Sequence, residues 1–222
     1  MVMDSKRRFS FAYGIAVLCL VASPTMADLI ALKNASFETG DLTEWSVSAT
    51  GTGNVTVVHS WTQGDGGSGP LSWGPTQGSW FALMSAGDAG TSVKLSQTFT
   101  ANVGDVLQFA YFWDGGDAIE GGSYNDAAQA TAQLTPGAGA PAGYSLFTES
   151  IATRGNYNGT PWQYVSFTIQ ATGTYDLVFE LTNATDSRSD SYLGIDVVPL
   201  PGAVLLGFLG LAAAGLKLRQ LA

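Results

Sequence analysis

An all-β, jelly-roll-like β-sandwich is the fold class the sequence predicts, flanked by an N-terminal signal helix and a C-terminal apolar helix. Apolar and polar residues alternate in short runs, clusters of Gly, Asn, Asp, Thr and Pro separate the runs, and no window between residues 28 and 196 sustains a helical period. The runs are Asn54–His59, Ser79–Ser85, Thr91–Phe99, Val106–Trp113, Ala128–Leu134, Tyr144–Ile151, Trp162–Ile169, Thr174–Leu181 and Tyr192–Val198. Pairs such as Val55/Val57, Phe81/Leu83 and Val93/Leu95 share a face because successive strand side chains point to opposite sides. Three long Gly-containing connections, 64–78, 114–126 and 135–143, break the pattern, and loops of that length are more often functional or mobile than plain links. There is no internal repeat and no linker, so one domain is expected over residues 28–198.

The ends of the chain point to export. Lys6, Arg7 and Arg8 precede an apolar stretch, Phe11–Ala22, and Thr25-Met26-Ala27 offers a cleavage site before Asp28, so residues 1–27 read as a signal peptide for signal peptidase. The one cysteine, Cys19, lies inside that stretch behind Leu18, which argues against lipidation and leaves the mature chain without thiols or disulfides. An exported domain without disulfides depends on its own core, with or without help from a metal ion.

At the other end, Val198-Pro199-Leu200-Pro201-Gly202 is followed by an uncharged run to Leu216 and then by Lys217 and Arg219. As a helix, Gly202–Leu216 reaches roughly 22 Å, short of a bilayer core about 30 Å thick. That length suits brief residence in a membrane better than a lasting anchor. The order of Pro-containing motif, apolar helix and basic end resembles the PEP-CTERM sorting signal in its VPLPA-type variant, covering residues 199–222. Gly202 stands where the variant usually has Ala, and Lys217-Leu218-Arg219-Gln220 replaces a dense arginine run. The resemblance implies a Gram-negative bacterium and processing by an exosortase-type enzyme. It also implies transient inner-membrane anchoring, then delivery to the cell surface or to an extracellular matrix of exopolysaccharide. An ordinary C-terminal membrane anchor shares the same positive-flank logic.

Charge narrows the partners. The whole chain carries a formal −9, and between Asp28 and Asp196 only Lys33, Lys94, Arg154 and Arg188 oppose 17 acidic side chains. So negative a surface repels phosphate backbones and excludes nucleic acid as a partner.

Short motifs bracket the domain. Leu32-Lys33-Asn34-Ala35-Ser36-Phe37-Glu38-Thr39-Gly40 with Trp45 opens it; Thr172-Gly173-Thr174-Tyr175-Asp176-Leu177 and Leu193-Gly194-Ile195-Asp196-Val197-Val198 close it. Together they resemble carbohydrate-binding-module-type and galactose-binding-like jelly rolls. The resemblance implies that first and last strands lie together, with Phe37 and Ile195 in one core and Glu38 meeting Asp196 at its edge. It further implies a structural Ca²⁺ with Glu38 and Asp196 as side-chain ligands and Asn34 and Asp41 as weaker ones. Ca²⁺ takes six to eight oxygens, so main-chain carbonyls would complete the set. The alternative is that Glu38 caps a turn and Asp196 accepts backbone hydrogen bonds.

Trp61, Trp73, Tyr124, Tyr144 and Tyr157 lie in or beside the Gly-containing loops and are the candidates for stacking on sugar rings. Trp45, Trp80, Trp113 and Trp162 sit where packing explains them. Asp114 with Asp117 and Glu120, and Asp186 with Asp190, read as solvated loop carboxylates. No catalytic arrangement emerges: His59 is the sole histidine, and there is no Gly-x-Ser-x-Gly elbow, HExxH or phosphate loop. Many carboxylates are present, but nothing singles out a glycosidase pair. The expectation is a non-catalytic binding or structural component associated with exopolysaccharide. A carbohydrate-binding module with a defined glycan is the alternative, and a polysaccharide-active enzyme comes behind both.

Overall fold

The computed structural model describes residues 28–63, 71–116, 129–136, 143–183 and 190–197. The sorting motif Val198–Gly202 and the two apolar terminal segments lie outside the described residues, as does Tyr124. Two five-stranded antiparallel sheets face each other. Sheet I has the order β1 (Ser46–Ala49), β6 (Thr91–Ala101), β11 (Gly173–Asn183), β8 (Gln129–Pro136), β9 (Tyr144–Ser150). Sheet II has the order β10 (Gln163–Thr168), β7 (Val106–Asp114), β12 (Ser191–Asp196), β5 (Phe81–Ala86), β2 (Asn54–Val58). A small hairpin, β3 (Trp61–Thr62) with β4 (Ser72–Trp73), joins β2 to β5. Each predicted run contains a strand whose ends shift by one or two residues.

Period-two alternation builds the core between the sheets. Val93 and Leu95 of β6 and Leu177, Phe179 and Leu181 of β11 meet Leu107, Phe109, Tyr111 and Trp113 of β7 and Leu193 and Ile195 of β12. Each such fully buried apolar side chain is worth about 1.5–3 kcal/mol of burial. Long β6–β11 pairing, eleven residues from Thr91↔Asn183 to Ala101↔Gly173, forms the centre of sheet I.

Sheet II is also covered on its outer face, across β7, β12 and β5. Phe81, Leu83 and Phe112 form a second buried cluster with Trp73 of the hairpin, and Ala82, Met84 and Ala86 take the inward side of β5. The predicted pair Phe81/Leu83 thus shares a face, but it is the face under the hairpin. Gly194 makes this possible, since a Cβ there would stand 2.0 Å from Cε1 of Phe112.

Two expectations need correction. Tyr144–Ile151 is a strand only to Ser150, because Ser150 and Thr153 form a reciprocal cap that starts a one-turn helix, α1 (Ile151–Arg154). Phe37 and Ile195 do share one core, both 0% exposed. The opening segment, however, is a series of turns with Asn34 and Phe37 at φ 44° and 57°. The first strand, β1, edges sheet I, whereas the last, β12, is the middle strand of sheet II. Exposed β1 and the two-residue β3 and β4 carry no buried alternation by which a sequence could reveal them.

Candidate functional site

A polar cleft of about 670 Å³ opens at the edge of sheet I. Its origin is a mismatch in strand length: β1 pairs with β6 only over Val93–Ser96, while β6 runs on to Ala101. Beyond Ser96 no strand among the described residues lies on that side of β6. The opening segment Leu29–Lys33 stands across the gap, bound at one end by the Leu29↔Val106 bridge. At the other end buried Gln97 clamps it: Oε1 accepts from the Lys33 amide at 2.8 Å, and Nε2 donates to the carbonyls of Lys33 (2.8 Å) and Glu44 (3.1 Å). Thr98, Thr100, Thr174 and Asp105 supply hydroxyls and a carboxylate to the walls, and Glu44 and Lys33 form an exposed ion pair at 3.2 Å. Phe99 contributes an apolar ring that stacks on Tyr175 at 6.0 Å. Ligand sites of this volume are lined mainly by apolar side chains with a few placed polar groups, and this cleft is more polar than that. Lys33 and Thr174 fall inside the opening and closing motifs, but nothing in the sequence brought these residues together as a cleft; the length difference between β1 and β6 exists only once the pairing is known.

Glu38 and Asp196 converge on one loop. Glu38 Oε1 accepts from the amides of Ser79 (2.9 Å) and Trp80 (3.1 Å). Asp196 Oδ2 accepts from the Thr76 amide (2.8 Å), the Thr76 hydroxyl (2.6 Å) and the Gln77 amide (3.3 Å). Gly78, at φ 74°, lets the Glu38 carboxylate approach, since a Cβ would lie 2.3 Å from Oε1. Asp196 is 0% exposed and its Oδ1 has no hydrogen-bond partner. Burial pushes the Asp196 carboxyl up, hydrogen bonds from Thr76 and Gln77 pull it down, and the nearby Glu38 charge raises it further. An orphaned, buried carboxylate oxygen that feels the charge of a second carboxylate fits the donor set of a Ca²⁺ site. Asn34 and Asp41 are otherwise engaged. Asn34 Nδ2 donates to the carbonyls of Asp41 and Thr43, and Asp41 Oδ1 accepts from the Thr39 hydroxyl (2.7 Å) and the Thr43 amide (3.0 Å). These bonds close the opening turn and hold Asp41 below the usual carboxylate range, the Thr39 bond foremost. Among the described residues no group of three or more His, Cys, Asp or Glu side chains is placed to hold a metal.

The aromatic candidates separate. Trp73 is 4% exposed, stacks on Phe112 at 4.3 Å and donates Nε1–H to the Thr160 carbonyl, so its ring is part of the fold and is withdrawn from the ligand-contact set. Trp61 is half-buried, tilted against Tyr192 at 4.2 Å, with Nε1–H donated to Asp114 Oδ2 at 2.9 Å. Tyr144 leans on Phe167 at 4.9 Å, and Tyr157 is half-buried at φ 52°. None of these lines the cleft. Among the described residues the aromatic ring left most open is Tyr164, 69% exposed on edge strand β10, which sequence reasoning passed over as an ordinary strand residue. His59 is structural, with Nδ1 2.7 Å from the Ser79 carbonyl and its ring stacked on Trp80. Asp114 is also corrected: it ends β7 at 1% exposure and is no solvated loop carboxylate.

No protein-family model matches the chain, and no curated protein matches it. Solved structures resemble it distantly. TmCBM61, in complex with β-1,4-galactotriose, is 17% identical, with 75% of this chain and 93% of that one covered at a TM-score of 0.46. A family 16 carbohydrate-binding module is 13% identical, covering 76% and 99% at 0.43. The K3 cleaved adhesin domain of Lys-gingipain from Porphyromonas gingivalis is 13% identical, covering 75% and 94% at 0.44. Nothing about this chain's ligand follows from likenesses so distant.

Proposed function

We propose that this chain is an exported, non-catalytic carbohydrate-binding β-sandwich whose ligand lies in the cleft between Leu29–Lys33 and β6. The cleft itself carries the reading. Thr98, Thr100, Thr174, Glu44 and Asp105 line it with hydroxyls and carboxylates alongside apolar Leu29, Ile30 and Phe99, and such a mixed lining suits a ligand dense in hydroxyls that also carries apolar surface. Glu44 and Asp105 outnumber Lys33, so a neutral glycan suits the cleft better than an anionic one. A glycan array probed with the purified protein tests this: the proposal expects binding to neutral oligosaccharides, and binding confined to polyanions, or to nothing, would sink it.

In this proposal the N-terminal signal exports the protein, and the PEP-CTERM-like tail anchors it transiently in the inner membrane, where an exosortase-type enzyme processes it before delivery to exopolysaccharide at the cell surface. Support for the tail comes from Val198–Gly202 and the apolar run after it. A structural Ca²⁺ held by Glu38 and Asp196 belongs to the same proposal, supported by the unpartnered Asp196 Oδ1. EDTA then lowers the melting temperature and Asp196→Ala abolishes that sensitivity; an EDTA-insensitive melt removes the ion.

A further inference from the structure

A second buried carboxylate has the same chemical problem as Asp196. Asp114 is 1% exposed; Oδ2 accepts from Trp61 Nε1 at 2.9 Å, and Oδ1 has no hydrogen-bond partner. Buried carboxylate oxygens are rarely left without a donor or a cation. Asp114 lies opposite Tyr192 in the β7–β12 pair. The two strands stay in contact beyond it, for a Cβ on Gly116 would stand 2.2 Å from the Asp190 carbonyl oxygen. Asp190 therefore faces Gly116 and becomes the diagonal neighbour of Asp114 on the outer face of sheet II, about 7 Å away between side-chain origins. The Tyr192 hydroxyl donates to Asp190 Oδ2 at 3.4 Å and feels the charge of both carboxylates.

We propose that Asp114 and Asp190 hold a divalent cation of the calcium type on the outer face of the β7–β12 pair. Asp114 Oδ1 supplies the buried anchor and Asp190 the half-buried second carboxylate. Main-chain carbonyls and water complete a shell of six to eight oxygens. This site is separate from Glu38 and Asp196, because Asp196 pairs with Ala110, four residues back along β7 and roughly 13 Å from Asp114. Binding here also neutralises the group that ties Trp61, and with it the β3–β4 hairpin, to the sheet.

Terbium(III) is a suitable probe, since the Trp61 indole touches Asp114 and sensitises a lanthanide bound beside it. The titration is run in a Glu38→Gln background to remove any contribution from the other carboxylate pair. The expected result is saturable, tryptophan-excited luminescence that Ca²⁺ displaces. Adding Asp114→Asn or Asp190→Asn should weaken terbium binding by about tenfold or more, as loss of one charged ligand requires. If Asp114→Asn does not fold, Asp190→Asn at its half-buried position carries the test. No luminescence in the Glu38→Gln protein, or equal affinity after adding Asp190→Asn, overturns the site.

Discussion

Replacing Arg154 by Ala isolates a polar network centred on a buried carboxylate, with a half-exposed guanidinium over it. Glu149, at the end of β9, is 3% exposed. Its Oε2 accepts from Arg154 Nε at 2.5 Å, and its Oε1 accepts from Arg154 Nη2 at 2.6 Å and from the Tyr111 hydroxyl at 2.7 Å. Burial alone would raise the Glu149 carboxyl, yet the bonds from Arg154 and Tyr111 outweigh it and hold the group below its ordinary value. A depressed folded pKa stabilises above the unfolded pKa, and that stability is lost as pH falls through the folded one. Arg154→Ala removes two of three bonds and leaves a buried charge, at a cost of about 3–5 kcal/mol. At 2–4 °C per kcal/mol for a domain of this size, melting should fall by roughly 6–20 °C at neutral pH. With Arg154 gone the burial effect wins, so the sign reverses: the deficit should shrink on acidification as Glu149 takes a proton. Circular-dichroism melts from pH 4 to 8 read both effects, and Glu149→Gln combined with Arg154→Ala should recover much of the loss. A neutral-pH melt within about 1 °C of wild type, or a deficit that does not change with pH, would refute the reasoning.

Other expectations follow from single contacts. With divalent cations chelated, Asp114 should destabilise the fold as pH rises, because burial pushes its carboxyl up to about 6 and the Trp61 bond offsets this only in part. A raised folded pKa means full stability below the unfolded value of about 3.9, lost as pH climbs through the folded one. Asp114→Asn should therefore gain up to roughly 3 kcal/mol at pH 7 and nothing near pH 3, read from denaturant midpoints. Gly194→Ala should cost about 1–3 kcal/mol by displacing the Phe112 ring from beneath Trp73, seen as a lower midpoint and a changed near-ultraviolet tryptophan signal.

The strands were legible because alternation is a local signal. Val93/Leu95 and Leu177/Phe179 announce an inward face whatever lies opposite. Which face is inward in β5 was not legible, since Phe81, Leu83, Ala82 and Met84 are all apolar and both faces are covered. Trp73 looked like a loop aromatic because its partners, Phe112 and the Thr160 carbonyl, are distant in sequence. The convergence of Glu38 and Asp196 on residues 76–80 was foreshadowed by motif resemblance, whereas the bonds that engage Asn34 and Asp41 depend on turn geometry. Asp114 misled for a physical reason: a carboxylate before two glycines reads as solvated, whereas in the fold it is buried and accepts from Trp61, 53 residues away in sequence. The cleft was invisible for the same kind of reason, arising from where β1 stops beside β6.

Calorimetric titration of a neutral oligosaccharide taken from the array tests the central claim most directly, using wild type, Thr100→Ala/Thr174→Ala and Tyr164→Ala. Losing two cleft hydroxyls should weaken binding by about tenfold, while the Tyr164 variant, on the exposed edge strand β10 and not part of the cleft lining, should stay within about twofold of wild type. Undiminished binding by the cleft variant, with the loss falling on Tyr164→Ala, would contradict the account and move the ligand to the outer face of sheet II.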